Sequence, residues 1–320
     1  MKACCRRRLA RPNRRRQYRQ NLNLYAILDS EDDLEIPDDV RFASVVHDGV
    51  PRAVAVESEL AIALRGIREL GAQTPSAVLA DPPLDEARAI PLDAVRFRAV
   101  VPAPGKVICV GLNYVAHVEE SRRDLPAYPV LFTKFATSLT GPYDPIPCPL
   151  ESSAVDYEGE LVAVIGARVR RVGVDQALGA VAGYTVANDV TMRDFQNKTH
   201  QWLQGKAWDR STPVGPWLVT ADHIGDPGKL TLRTTLNGET VQEASTRQLI
   251  FSIPQLVSAI STFTTLEPGD LILTGTPAGV GLRREPPRLL THGDVVAVEI
   301  EDVGRIENEM IEDPPGQRER

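Results

Sequence analysis

The stretch "DYEGELVAVIG", residues 156–166, decides how this chain is read. Leu161, Val162, Ala163, Val164 and Ile165 make a continuous apolar run of the length of a buried strand. Yet Asp156, Glu158 and Glu160 lead into it. Alternate side chains of a strand share a face, so Glu158 and Glu160 point the same way, with Cα atoms about 6.5 Å apart. Two like charges at that range repel, and burial raises the cost of each. A divalent cation reverses both penalties. Mg²⁺ suits the site, because it takes a few carboxylate oxygens and keeps positions for substrate or water. The plainer reading of a Glu-x-Glu is a solvated strand start.

A second segment bears on the choice. "GYTVANDVTMRDFQ", from Gly183, runs a strand into a helix with Asp189 at the junction. Asp189 is a candidate third acid, or simply a helix N-cap. On the helix, Arg193 and Gln196 stand three apart on one face, a guanidinium and an amide suited to an anion. Upstream, "LNYVAHVEES" places His117 and Glu120 at i and i+3, where a carboxylate can make an imidazole a better base or form an ordinary surface contact. Lys206, in "LQGKAWDRSTPVGPWLVT", reads as a loop residue just before a strand. "TGTPAGVG", from Thr274, is Gly-rich but lacks the Lys of a phosphate loop and the spacing of a dinucleotide fingerprint; it offers Thr276 and backbone N–H groups to a carboxylate.

The rest of the chain sets bounds. It has 320 residues and a formal net charge of -7. Residues 1–20 hold nine Lys or Arg and no acid, so the remainder carries 27 basic and 43 acidic residues. An acidic body disfavours nucleic acid as a partner. The basic start has no apolar run for a signal peptide, and no stretch approaches the length of a membrane helix. None of Cys4, Cys5, Cys109 and Cys148 shows metal or redox spacing, which fits a reducing cytoplasm.

"RFASVVHDGVPRAVAVE" reads as a hairpin turning at Asp48-Gly49. "SELAIALRGIREL" has helical spacing with Ser58 as N-cap. Residues 74–104 are Pro-rich and short-runned. Beyond them strands outnumber helices without regular alternation, with Asn237-Gly238 a hairpin turn and Pro254 in the first turn of a helix. The expected class is strand-rich α+β. The expected domains are a disordered basic leader at 1–22, a small N-terminal α/β domain at 23–103, a catalytic domain at 104–311 and a flexible tail at 312–320.

"VGLNYVAHVEE", "LFTKFATSLTGP", "DYEGELVAVIG", "GYTVANDVTMRDFQ", "GKAWDRSTPVGPWLVT" and "ILTGTPAGVG", in this order from about Lys106 to Met310, resemble the fumarylacetoacetate hydrolase superfamily. The resemblance implies a mixed β-sandwich roll, metal carboxylates at Glu158, Glu160 and Asp189, a His–Glu dyad at His117 and Glu120 on a small lid, an active-site Lys at Lys206, and substrate contacts from Arg193, Gln196 and Thr276. It implies Mg²⁺, with Mn²⁺ or Ca²⁺ as alternatives, a small 2-oxo or diketo acid substrate and a homodimer; the composition adds a cytoplasmic location and no membrane or nucleic-acid partner. Full-length fumarylacetoacetases resemble this pattern but carry a further metal-binding Asp upstream of the His; in that neighbourhood this chain offers Asn113. That departure resembles the smaller bacterial acylpyruvases, decarboxylases and isomerases. Trp208, where relatives often have Phe, is expected to narrow the pocket. The leading expectation is a hydrolase cleaving a C–C bond of acylpyruvate-like 2,4-diketo acids. The alternatives are an isomerase of 2-hydroxyhepta-2,4-diene-1,7-dioate or an oxaloacetate decarboxylase, and, outside enzymes, a β-rich module with a structural ion.

Overall fold

A computed structural model describes residues 41–313. The expected leader, Cys4 and Cys5, the start of the N-terminal segment and residues 314–320 lie outside the described residues. Among the described residues no helix is long and apolar enough to cross a membrane.

The frame is strand-rich α+β. A 12-stranded sheet and a 5-stranded sheet, both mostly antiparallel, carry the fold. Strand Gly159–Ile165 lies inside the larger sheet, between Val181–Asn188 and Leu271–Leu273. Covered on both faces, it can be apolar throughout. Its alternation divides it between two cores. Leu161, Ala163 and Ile165 join Leu232, Val298 and Ile306 of the smaller sheet. Val162 and Val164 join Leu79, Val101 and Leu218 on the other side. Helix Ile253–Phe263 closes the first core with Ile253, Leu256, Val257 and Ile260, the i, i+3, i+4, i+7 stripe of an amphipathic helix. Each such side chain is worth about 1.5–3 kcal/mol when buried. The helix starts with the Ser252 N–H donating to Gln255 Oε1, and Pro254 sits in its first turn, where no N–H is needed.

The first described strands belong to the same large sheet. Arg41–His47 pairs with Val50–Glu57 across Asp48 (φ 50°) and Gly49 (φ 73°), the two positive φ values of a type I′ hairpin, and it also pairs with Thr212–Thr220. The expected helix beginning at Ser58 is a strand, Leu60–Leu64. Ser58, at φ 51°, and Glu59 form a second two-residue turn, and Glu57 pairs directly with Leu60. Its buried, uniformly apolar run fits either period, and pairing with strands on both sides settles it.

Candidate metal centre and cleft

Backbone register brings the acids together. Gly159 pairs with Asn188 and Glu160 with Ala187, which sets Asp189 opposite Glu158 just beyond the ladder. The Asp189 N–H donates to the Glu158 carbonyl at 2.8 Å, and the Glu158 N–H to Asn188 Oδ1 at 2.9 Å. Glu158, Glu160 and Asp189 are all buried, with one carboxylate oxygen from each lying within 4.8 Å of the others. Asp189 is not a helix cap. The strand Thr191–Met192 separates it from the short helix Arg193–Gln196, whose N-cap position is Met192.

Cations surround this cluster unevenly. Lys206, the last residue of the one-turn helix Leu203–Lys206 rather than a loop residue, is buried and donates to Glu158 Oε2 and Asp189 Oδ2 at 2.7 Å each. Lys134, at the end of strand Val130–Lys134, donates to Asp189 Oδ1 at 2.5 Å. Arg193 Nη1 lies 2.7 Å from Glu158 Oε1. Among the described residues, Glu160 receives one hydrogen bond, from the Gly275 N–H at 2.7 Å. Burial alone pushes the Glu158 carboxyl up, but the charges of Lys206 and Arg193 outweigh it and hold it at about 2. For Glu160 the net result is opposite: burial pushes it well above the usual carboxylate range, and the charges of Asp189 and Glu158 push it further. Burial works against the Lys206 ammonium, yet Asp189 and Glu158 raise it to about 12. Three buried acids with oxygen-only donors, one of them short of positive charge, fit a hard divalent cation.

A cleft opens above the cluster; its lining includes Glu158, Lys206, His117, Arg193, Gln196 and Thr276. His117 Nδ1 is 2.8 Å from Glu120 Oε1 on helix Val115–Glu120, and the Gly279 N–H donates to Glu120 Oε2 at 2.9 Å. Arg193 is held by Asp156 through Nε at 2.8 Å and by Gln196 through Nη1 at 3.1 Å; its Nη2 is buried without a partner. Gln242 Nε2 donates to Thr276 Oγ1 at 2.9 Å, which leaves the threonine proton free for another acceptor. All nine residues singled out in the sequence therefore gather at one cleft or directly beneath it.

Several side chains of the site carry no sequence signal of their own. Lys134 is a lysine inside an apolar strand, which is the clue available. Asp156 and Gln242 act across 37 and 34 residues, on Arg193 and Thr276. Trp208 does not line the cleft: it packs edge-on against Phe195, ring centroids 5.0 Å apart, with Nε1 on the Gln204 carbonyl. Trp202 narrows the cleft instead, pressed over Gly111, where an added Cβ would meet its ring at 2.2 Å. Asn113 is buried outside the acid cluster. It gives Nδ2 to the Thr274 and Phe251 carbonyls and Oδ1 to the Phe251 N–H.

The C-terminal domain family of fumarylacetoacetate (FAA) hydrolase matches residues 106–311. The mitochondrial oxaloacetate tautomerase of Rattus norvegicus is 47% identical over 223 residues, 69% of this chain and 71% of that protein. A human mitochondrial oxaloacetate tautomerase is 46% identical over 224 residues, 69% and 71% of the two chains. Among solved structures, a 2-hydroxyhepta-2,4-diene-1,7-dioate isomerase from Mycobacterium marinum superposes with a TM-score of 0.72 at 36% identity, covering 85% of this chain and 98% of that one. A fumarylacetoacetate hydrolase from psychrophilic Exiguobacterium antarcticum gives 0.75 at 35%, covering 86% and 100%.

Proposed function

The chain belongs to the fumarylacetoacetate hydrolase family, and on that premise we propose that it is a divalent-metal-dependent enzyme that moves a proton between the keto and enol forms of a 2-oxo acid. The observation that carries the reading is the convergence of Glu158, Glu160 and Asp189 beneath a cleft that also holds Lys206 and His117. A module with a purely structural ion has no use for a buried lysine and a histidine–glutamate pair at the same cleft.

Glu158, Glu160 and Asp189 would hold the cation, Mg²⁺ in this reading with Mn²⁺ or Ca²⁺ as alternatives. When bound, it supplies Lewis-acid stabilisation of the enolate form of the substrate. Lys206 sets a fixed positive charge beside the developing oxyanion. The free Nη2 of Arg193, the Gln196 amide and the Thr276 hydroxyl grip a carboxylate and fix its orientation. With Nδ1 engaged by Glu120, His117 keeps Nε2 for the proton that leaves or returns to carbon. The relatives named as tautomerases and an isomerase support proton transfer over C–C cleavage. Hydrolysis of acylpyruvates is the second reading, favoured by the same His117–Glu120 pair, which suits activation of a water. A homodimer belongs to this reading as well.

The test follows enol–keto conversion of oxaloacetate by ultraviolet absorbance in Mg²⁺ and in EDTA. The parent should be fast in Mg²⁺ and slow in EDTA. His117→Gln should lower the rate about 10²–10⁴-fold, and Glu160→Gln should abolish the Mg²⁺ effect. A parent rate indifferent to EDTA would falsify the reading. Cleavage of acetylpyruvate with no tautomerase activity would hand the site to the hydrolase reading.

A further inference from the structure

Gln242 is a polar side chain where packing calls for an apolar one. It stands on strand Glu239–Ser245, at the edge of the smaller sheet, and is 2% exposed. Its neighbour Val241 packs into a core with Tyr157, Leu236 and Val296. A buried amide is costly unless its groups are paired, so a methionine or leucine would fill the same space more cheaply. A bulge aims the side chain. Thr234 pairs with Gln242 and Thr235 with Thr240, which makes Val241 the extra residue of its strand. An extra residue bends a strand and redirects the side chains beside it. The Gly-rich loop closes on that same bulge: a Cβ on Gly279, at φ 102°, would lie 2.2 Å from the Val241 carbonyl oxygen.

The amide spans two parts of the site. Its Oε1 accepts from the N–H of Gly159, the residue between Glu158 and Glu160, at 3.1 Å. Its Nε2 donates to the Pro277 carbonyl and to Thr276 Oγ1, at 2.9 Å each. Two backbone partners force this direction. A peptide N–H only donates and a carbonyl only accepts, so the amide cannot be turned over. Both Nε2 protons are therefore committed, and Thr276 Oγ1 has to accept one of them. The hydroxyl proton of Thr276 is then directed away from Gln242. Thr276 lines the cleft, and among the described residues no protein group takes that proton.

We infer that Gln242 is a positioning residue of the cleft: it never touches the substrate, but it fixes Thr276 as a donor, so that the threonine meets a carboxylate with its proton already aimed. This rests on the proposed function, which sets a carboxylate against Thr276. Without Gln242 the hydroxyl is free to rotate, and the Pro277 carbonyl becomes a competing acceptor for its proton. A hydrogen bond to a charged group is worth roughly tenfold or more in affinity, and a loosened one loses part of that.

The experiment is a double-mutant cycle on the full-length chain, read as KM and kcat for oxaloacetate tautomerisation in Mg²⁺. Thr276→Val should raise KM about tenfold, Gln242→Met about three- to tenfold, and kcat should change less than KM in both. The double variant should have the KM of Thr276→Val, because Gln242 acts only through that hydroxyl. A double variant whose KM shows the product of the two single effects overturns the inference, as does a Gln242→Met that melts earlier with KM unchanged. If Gln242→Met does not fold, side-chain amide NMR of the parent and Thr276→Val decides. One Gln242 Nε2 proton should move upfield in Thr276→Val while the other, held by Pro277, stays; an unmoved pair overturns the inference. A parent that turns over while Thr276→Val keeps the parent KM overturns this inference alone. A parent with no Mg²⁺-dependent rate overturns the proposed function, and this inference with it.

Discussion

Asp156 and Glu160 lie on one short stretch of chain, both buried, and are held in opposite ways. Asp156 accepts from four donors: Arg193 Nε at 2.8 Å and the N–H groups of Gly281, Leu282 and Tyr157 at 2.7, 3.1 and 2.9 Å. Glu160 accepts from one, Gly275. A carboxylate whose lone pairs are filled by the protein is spent on structure. One left short of donors and pushed above its usual range is poised to take positive charge from outside. The lesson is that donor count separates two acids that burial alone does not.

The largest effect should come from the saturated acid. Asp156→Asn leaves the Arg193 guanidinium buried beside a neutral amide. Removing one partner of a buried pair costs about 3–5 kcal/mol, and urea titration should show that loss equally in Mg²⁺ and in EDTA. A loss below about 1 kcal/mol would place Asp156 with ordinary surface pairs.

Next comes the single donor to Glu160. Gly275 has φ 104°, and a Cβ there would lie 2.8 Å from Asn113 Cβ. Gly275→Ala should cost about 1–3 kcal/mol from backbone strain, and it should weaken Mg²⁺ binding because Glu160 loses its alignment. Unchanged Mg²⁺ affinity in a destabilised variant would separate the loop from the acid.

The pH dependence of the metal-free protein tests Glu160 directly. Its folded value lies well above its usual 4.5, so the folded state holds a proton that the unfolded chain has released. Stability from this group is present below 4.5 and is lost as pH rises toward the folded value, at about 1.4 kcal/mol per pH unit. Glu158 has the opposite sign: its contribution is present above its usual 4.5 and is lost as pH falls toward about 2. In EDTA, Glu160→Gln should flatten the fall of the melting temperature above pH 4.5, and Mg²⁺ should flatten it in the parent. Parallel curves for parent and variant would remove the shift.

Glu120 is the intermediate case, partly exposed with two donors. Glu120→Gln keeps an acceptor for Gly279 and should change stability by no more than about 0.5–1 kcal/mol, while the tautomerase rate falls. Equal losses of stability and rate would make it a structural acid like Asp156.

Much of this was legible in the chain itself. The three acids could be read together because their placement needs only two strands and their register, and the strands announce themselves through apolar runs and the turns at Asp48-Gly49 and Asn237-Gly238. His117 and Glu120 follow from helical spacing. Leu60–Leu64 was misread because an unbroken apolar run carries no period, and the positive φ of Ser58 has no sequence mark. The roles of Lys134 and Asp156 were not legible because their partners, 55 and 37 residues away, are chosen by how elements pack. Trp202 and Trp208 differ only in which way a short connection turns them.

The loop from Gly275 to Leu282 touches Asp156, Glu160 and Glu120, the three acids compared above. Its N–H groups reach Glu160 from Gly275, Glu120 from Gly279, and Asp156 from Gly281 and Leu282. One ribbon of backbone is thus a common clock for two events. If the helix carrying His117 swings away to admit a molecule, Gly279 loses its acceptor, and the slack passes along four peptide units to the donor on the innermost acid. Opening the cleft and loosening the acid then share a single timescale. In amide exchange, Gly275 and Gly279 should report the same opening rate, and a molecule lodged in the cleft should slow both together.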